Sequence, residues 1–428
     1  MKSDNITVKL IIIAIVGGAC LIASLLVLGL VSEREQRFKE VKQEIAGSWG
    51  ERQTIVGPML LNEQTSVSLQ NGVPTTVSTL YYLLPEKVEY TTELVPKVRS
   101  RGIFDTIVYT SRIKVRGAFS AEEYRKISGG SKSAVFSVGM SDTRGIEKQL
   151  NLSWDKAVYP FKPSPKNTLL RGSGVHAEVP VRFAGALIPF EFEVELKGSE
   201  GLAFTPVGKE TRIKVVSSWP TPKFSGAFLP STREMTDAGF AAEWNISSFG
   251  QSFPASGSER DVDASQFFAS AAGVDLQGGI DIYAELYRSI KYAILFILIT
   301  FAAFFVFEVL AGLRIHPVQY LLIGGSLALF YLLLLSLAEH IGFLPAYILS
   351  TAMTALLISA YSARVLASRR RAAPIFALLI VLYGYLYFVL QLEDYALLFG
   401  SLLLFVLLSA VMYLTRKVDW FEPAAKKQ

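Results

Sequence analysis

Residues 318–338 read VQYLLIGGSLALFYLLLLSLA, 21 positions without an ionised side chain. Coiled as a helix, that run is about 30 Å long, which matches the hydrocarbon core of a bilayer. Residues 10–31, 292–313, 341–363, 374–392 and 395–414 pass the same test, each about 19–23 residues long and nearly free of charge. The sequence therefore predicts six transmembrane helices, one N-terminal and five C-terminal. These runs explain the composition. Of 428 residues, 51% are apolar and only 18% charged, against roughly a quarter charged in an average soluble chain. Mean hydropathy is +0.37.

The formal charge of +5 is unevenly spread. Residues 1–31 carry +1, residues 32–290 carry 30 basic and 30 acidic side chains, and residues 291–428 carry ten basic and six acidic. The basic excess belongs to the membrane part, so it marks topology and gives no argument for nucleic-acid binding. Lys and Arg favour the cytoplasmic side of short loops. With the N-terminus inside, Lys2, Lys9, Arg314, the cluster Arg364, Arg369, Arg370 and Arg371, and the tail residues Arg416, Lys417, Lys426 and Lys427 all fall inside. The two short outer turns then hold Glu339-His340 and Glu393-Asp394, with no Lys or Arg. Residues 32–290 lie outside, which in a bacterium is the periplasm. The expected arrangement is multi-pass, with both termini cytoplasmic and the lipid bilayer as first partner.

The first apolar run reads as an uncleaved anchor over residues 1–31. It is longer than the 7–15 residues of a cleaved signal, and no small-x-small pattern closes it before Ser32-Glu33-Arg34-Glu35. Cys20, the single Cys, lies inside it, which excludes an intrachain disulfide and a Cys-based zinc site. His176, His316 and His340 are far apart in sequence, so a His-rich metal site is not expected, and no cofactor is implied. Residues 32–50 follow as a juxtamembrane helix. Phe38, Val41 and Ile45 recur at spacings of three and four, nothing between Leu30 and Glu44 resembles a helix stop, and Gly47 and Gly50 end it.

From Gln53 to about Ser248 the pattern changes to short runs rich in Val, Ile, Thr, Phe and Tyr, broken by Gly, Pro, Asn or Ser-Gly clusters. Leu80–Leu84, Ile107–Val115, Ala134–Gly139, His176–Phe183, Pro189–Lys197 and Thr211–Ser217 are strand candidates. In residues 190–196, FEFEVEL, alternation is strict, which puts three Glu on one sheet face and four apolar side chains on the other. The expected fold class is membrane α plus β, with a large β-rich, sandwich-like extracytoplasmic domain over residues 51–290, built as one β-sandwich or two stacked β subdomains. Residues 249–290 read as its return linker, being rich in Ser, Gly, Ala and Asp. Tyr283, Tyr287 and Tyr292 with Arg288 and Lys291 form an interfacial collar at its end. A five-helix bundle occupies 291–415 and a cytoplasmic tail 416–428.

Catalytic signatures are missing. No phosphate-binding Gly-rich loop, no dinucleotide fingerprint, no His-Glu-x-x-His and no Gly-x-Ser-x-Gly elbow occurs. A Ser-His-acid triad outside the membrane would have to use His176, the sole His there. The chain therefore reads as a non-enzyme. The polar residues of the membrane part are the remaining candidates: Glu308, Arg314, His316, Glu339, His340, Glu393 and Asp394. A charge in lipid is costly and points by default to a pathway or relay. Glu308 reads as an ion or proton site or, more plainly, as an interfacial carboxylate that pairs with Arg314 or is hydrated. The outer-turn groups read as ordinary turn charges or as a polar patch.

Small residues pattern the spans. Thr351, Ala355, Ser359 and Ala363 recur every fourth position and Gly324-Gly325-Ser326 thins another helix, which allows close packing within the chain or contact in a homo-oligomer. Phe301, Phe304, Phe305 and Phe307, with Tyr383, Tyr385, Tyr387 and Phe388, read as packing or lipid-facing aromatics rather than a ligand box.

An ordered set of short stretches resembles the CreD family of bacterial inner-membrane proteins. It comprises Ser48-Trp49-Gly50, Gln53-Thr54-Ile55, Gly57-Pro58, Tyr81-Tyr82-Leu83-Leu84-Pro85-Glu86, Arg101-Gly102-Ile103-Phe104-Asp105 and Gly226-Ala227-Phe228-Leu229-Pro230. The membrane half adds residues 288–293 (RSIKYA), 314–320 (RIHPVQY), 336–343 (SLAEHIGF), 392–398 (LEDYALL) and 415–420 (TRKVDW). The likeness covers nearly the whole chain. Met59-Leu60-Leu61-Asn62, where the family often has a Pro-aromatic pair, and Gly279, where it usually has Pro, depart from it. The resemblance implies a protein of cell envelope integrity, tied to a two-component stress response and to colicin tolerance, with no catalytic residues to transfer. The expected function is a non-enzymatic membrane protein whose periplasmic domain contacts envelope components or other membrane proteins. The rival is a transporter or channel using Glu308 and the outer-turn carboxylates.

Overall fold

The computed structural model describes residues 6–70, 73–163, 173–181, 186–276, 282–311, 315–366, 368–392 and 395–416. The chain divides into two compact units, a helical one of residues 1–39 with 280–428 and a β-rich one of residues 40–279. Helix α1 (Ile6–Trp49) contributes to both and is unbroken. Gly47, expected to help end it, stays helical, and Gly50, at φ +147°, takes the chain out of it.

In chain order the strands begin with β1 (Gln53–Gln70), β2 (Val73–Leu83), β3 (Lys87–Arg101) and β4 (Phe104–Ser120). Helix α2 (Ala121–Ile127) precedes β5 (Ser133–Met140), β6 (Asn151–Trp154), β7 (Ala157–Pro160), β8 (Lys162–Pro163), β9 (Gly174–Pro180) and β10 (Leu187–Ser199). Then come β11 (Gly201–Phe204), β12 (Glu210–Ser217), β13 (Pro222–Gly226), β14 (Thr232–Thr236), β15 (Gly239–Ser247) and β16 (Ser256–Ser258). Helix α3 (Ala264–Ala269) and β17 (Ala272–Leu276) complete the unit. One sheet runs β13-β17-β11-β1-β5-β9-β8, with β2 and β16 branching from β1. The other runs β14-β15-β12-β3-β4-β10-β6-β7.

A single apolar core takes residues from both sheets, Leu60 and Phe136 from the first and Tyr90, Ile113 and Phe190 from the second. This is one layered domain rather than two. Most neighbouring strands are antiparallel, but β1 pairs with β11 and β12 with β3 in parallel. Residues 249–290 are not a plain linker either. β17 pairs with both β11 and β13. Its small residues have a packing reason, because a Cβ on Gly273 would sit 2.2 Å from the Leu202 carbonyl oxygen.

In the second sheet β10 alternates as the sequence demands. Ile188, Phe190, Phe192, Val194 and Leu196 are buried, while Glu191, Glu193 and Glu195 face the other way. They stand opposite Arg116, Lys114 and Arg112 of β4, and Glu89 and Glu93 of β3 flank the same row. Lys114 and Arg116 reach Glu191 at 2.7 and 3.1 Å. Exposed pairs of this kind contribute only about 0.2–1 kcal/mol each, so their main effect is on register, where a slip by one residue would put charge into the core. Farther along the same face the end of α1 docks: Val41 and Ile45 pack on Val108, and the Trp49 indole N–H donates to the Tyr109 carbonyl at 3.1 Å.

Asp142 ties the start of β1 to the turn after β5. Its carboxylate accepts from the Glu51 amide (3.2 Å), the Arg144 amide (2.9 Å) and the Arg144 guanidinium (2.9 and 3.0 Å). Burial pushes this carboxyl upward, and the Arg144 side chain with the two amides outweighs it, holding the group below its usual range. A lowered value stabilises the fold above the ordinary carboxyl pKa of about 3.9, and the contribution disappears as pH falls through the folded value. Asp142→Asn should cost about 2 kcal/mol at neutral pH, the scale of hydrogen bonds to a charged group. Urea unfolding at pH 7 and pH 3 checks this, since the gap between parent and variant should be smaller at the lower pH.

The helical unit adds α4 (Ile282–Lys291), α5 (Ala293–Ala311), α6 (Pro317–Ile341), α7 (Phe343–Val365), α8 (Arg369–Gln391) and α9 (Ala396–Thr415). By length and composition α1, α6, α7 and α8 can each cross a membrane, and α4 with α5, bent by 41°, make a fifth candidate. The expected sixth span falls in α9, whose described apolar stretch Leu397–Ala410 is shorter. α6 begins where Pro317 suits the first helical position and His316 caps it, with the Gln319 side chain closing the box on the His316 amide at 2.9 Å. Gly342, at φ +80°, ends α6 and opens α7 at once. Of the thin Gly324-Gly325 patch, Gly324 is the used half: a Cβ there would lie 2.3 Å from the Cys20 sulfur of α1.

Candidate functional site

Two charge clusters fasten α1 to the other helices. Along α1, 25 residues separate Lys9 from Arg34, about 37 Å of helix, more than the hydrocarbon core. The clusters thus belong to opposite ends of the bundle.

At the first end Glu308, near the end of α5, is 7% exposed and takes an ion pair from Lys9. The same carboxylate accepts from the Ile315 amide at 3.0 Å and from the Tyr320 hydroxyl at 3.2 Å. Tyr320, fully buried on the first turn of α6, is held in place by the rings of Phe301 and Phe304 at 5.5 and 6.4 Å. A buried carboxylate tolerates low dielectric only when its lone pairs are filled and a cation faces it, and this one has both. Its partner is Lys9. Arg314, the partner expected from sequence, lies outside the described residues.

At the second end Glu339, in the last turn of α6, receives both guanidinium donors of Arg34 at 2.9 Å each, a two-pronged pairing that fixes orientation as well as charge. The Tyr283 hydroxyl of α4 donates to the same carboxylate at 2.9 Å, and Phe38 of α1 packs on the Tyr283 ring at 5.8 Å. Tyr283, read from sequence as part of an interfacial collar, is buried and belongs to this cluster.

Of the other expected site residues, His316 is spent on capping and His340 on the Ser336 carbonyl at 2.9 Å, and both are exposed. Glu393 and Asp394 lie outside the described residues. In the β unit His176 sits across from Ser137, yet no hydrogen bond joins them and the His176 Nδ1 and Ser137 Oγ have no partner among the described residues. No group of three potential metal ligands occurs among the described residues. The sequence passed over Lys9, Arg34, Tyr283 and Tyr320 as cluster members. The available signal was that Lys9 and Arg34 bracket the first apolar run while one acid stands near the end of each of two later runs. Glu285, buried on α4, also went unnoticed.

Compared with known proteins, residues 5–421 match the family described as Inner membrane protein CreD. The chain is 32% identical over 415 residues to the Inner membrane protein CreD of Escherichia coli (strain K12), an alignment spanning 94% of this chain and 90% of that protein.

Proposed function

The chain belongs to the CreD family of inner membrane proteins, and from that premise we propose that it is a non-enzymatic protein of cell envelope integrity acting through its β unit. In this reading the chain crosses the inner membrane six times, both termini are cytoplasmic, and residues of about 32–290 face the periplasm, the orientation that the distribution of Lys and Arg favours. The helical unit anchors, and the β unit meets envelope components or other membrane proteins.

One observation carries this reading above transport: Glu308 and Glu339 are each closed by a cation of α1 and a tyrosine hydroxyl. Such carboxylates brace helices. A transporter or channel that used Glu308 would have to release Lys9 in each cycle. Two measurements test the proposal. A deletion strain should become more sensitive to detergents, bacteriocins or cell-wall antibiotics, and unchanged sensitivity removes its basis. Purified chain in proteoliposomes should carry no ion flux, and a flux abolished by Glu308→Gln would establish the rival instead.

A further inference from the structure

Of six hydroxyls in the helical unit with no hydrogen-bond partner among the described residues, Thr351 Oγ1 and Ser359 Oγ are on half-buried residues and four are on the most buried ones: Thr300 Oγ1, Tyr331 OH, Ser350 Oγ and Tyr383 OH. None of these four residues is more than 1% exposed. They come one each from α5, α6, α7 and α8, and each lies near the middle of its helix.

They also share one depth. Tyr331 is 11 residues before the Gly342 turn and Ser350 eight after it; Ser350 is 15 residues before the end of α7 at Val365 and Tyr383 14 after the start of α8 at Arg369. Thr300 is 11 residues before the end of α5 and Tyr331 14 after the start of α6. At 1.5 Å per residue these offsets differ by no more than about 5 Å along antiparallel neighbours. Packing agrees with the count. The Phe330 ring lies 5.0 Å from Tyr331, 4.5 Å from Tyr383 and 5.7 Å from Tyr347, and Phe296, one turn before Thr300, lies 5.0 Å from Tyr383. Tyr347 is itself satisfied, donating to the Tyr383 carbonyl at 2.6 Å, so the tyrosines are pinned while two of their hydroxyls remain open.

A buried hydroxyl without a partner is costly, more so where lipid surrounds the bundle, and proteins resolve such groups with ordered water bridging two to four of them. We propose that Thr300, Tyr331, Ser350 and Tyr383 line an internal hydration site near mid-depth of the bundle, where ordered water bridges the four central helices. Water supplies both acceptor and donor to groups whose own backbones are already paired in helices.

The test is radiolytic hydroxyl-radical footprinting of the full chain in nanodiscs, paired with melting curves of Tyr331→Phe and Tyr383→Phe. Bound water generates radicals in place, so Tyr331 and Tyr383 should be modified roughly ten-fold faster than the equally buried Phe330, and both variants should melt below the parent because each leaves the bridging water short of a partner. Labelling of the two tyrosines no faster than Phe330 overturns the proposal. So does a higher melting temperature in both variants, since deleting a hydroxyl that binds nothing relieves a burden.

Discussion

Lys9→Met should destabilise the helical unit by about 3 kcal/mol, the lower part of the range for breaking a buried pair, because Lys9 keeps 29% of its side chain exposed. The loss comes from Glu308, which would stay buried without the Lys9 ammonium that pairs with it. Glu308→Met in the same chain removes that stranded charge, and the double variant should recover most of the stability, as buried pairs replaced by apolar side chains commonly do. Thermal unfolding in detergent, followed by helix content, reads both steps. Additive losses, with the double variant worse than either single one, would mean that the two residues act separately.

The second large effect belongs to the β unit. Trp154→Ala should cost about 3–5 kcal/mol, the range for emptying an aromatic site in a packed core. Trp154 is 1% exposed, its ring stands 6.0 Å from Phe119 and 5.9 Å from Phe136, and its N–H donates to the Pro180 carbonyl at 2.8 Å. Alanine thus leaves a cavity and an unsatisfied carbonyl together. Phe249→Ala is the control, since Phe249 is 99% exposed and should change stability little. Proteolytic susceptibility of the β unit across a urea series distinguishes them, and equal behaviour of the two variants would contradict the single core described above.

Local pattern was the readable part of this sequence. Strict alternation over residues 190–196 dictates which face of β10 is wet, and long uncharged runs dictate helices, because both follow from geometry within a few residues. β17 is hard to read for a local reason too: Ala272 and Gly273 carry too little side chain to register as a strand, and Gly273 has no room for more because the Leu202 carbonyl and Ala203 crowd it. The charge clusters were hidden for another reason. Lys9 and Glu308 are 299 positions apart, and Arg34 and Glu339 305, so nothing in either neighbourhood announces the partner. Lys9 read correctly as a basic flank of a span, and its second role as a counter-ion appears only when α1 packs beside α5 and α6. The same holds for the four hydroxyls, which look like ordinary polar residues of separate helices until the turns bring them to one depth.

The proposed division of labour has the buried acids of the bundle bracing it and the β unit carrying the function. It is tested most directly by complementation with the double variant Lys9→Met with Glu308→Met, expressed at parental level in the deletion strain. This charge-free pair should restore detergent and antibiotic tolerance as fully as the parent chain does. Full-length, correctly inserted double variant that fails to restore tolerance would contradict it, because an ionisable Glu308 would then be part of the function itself.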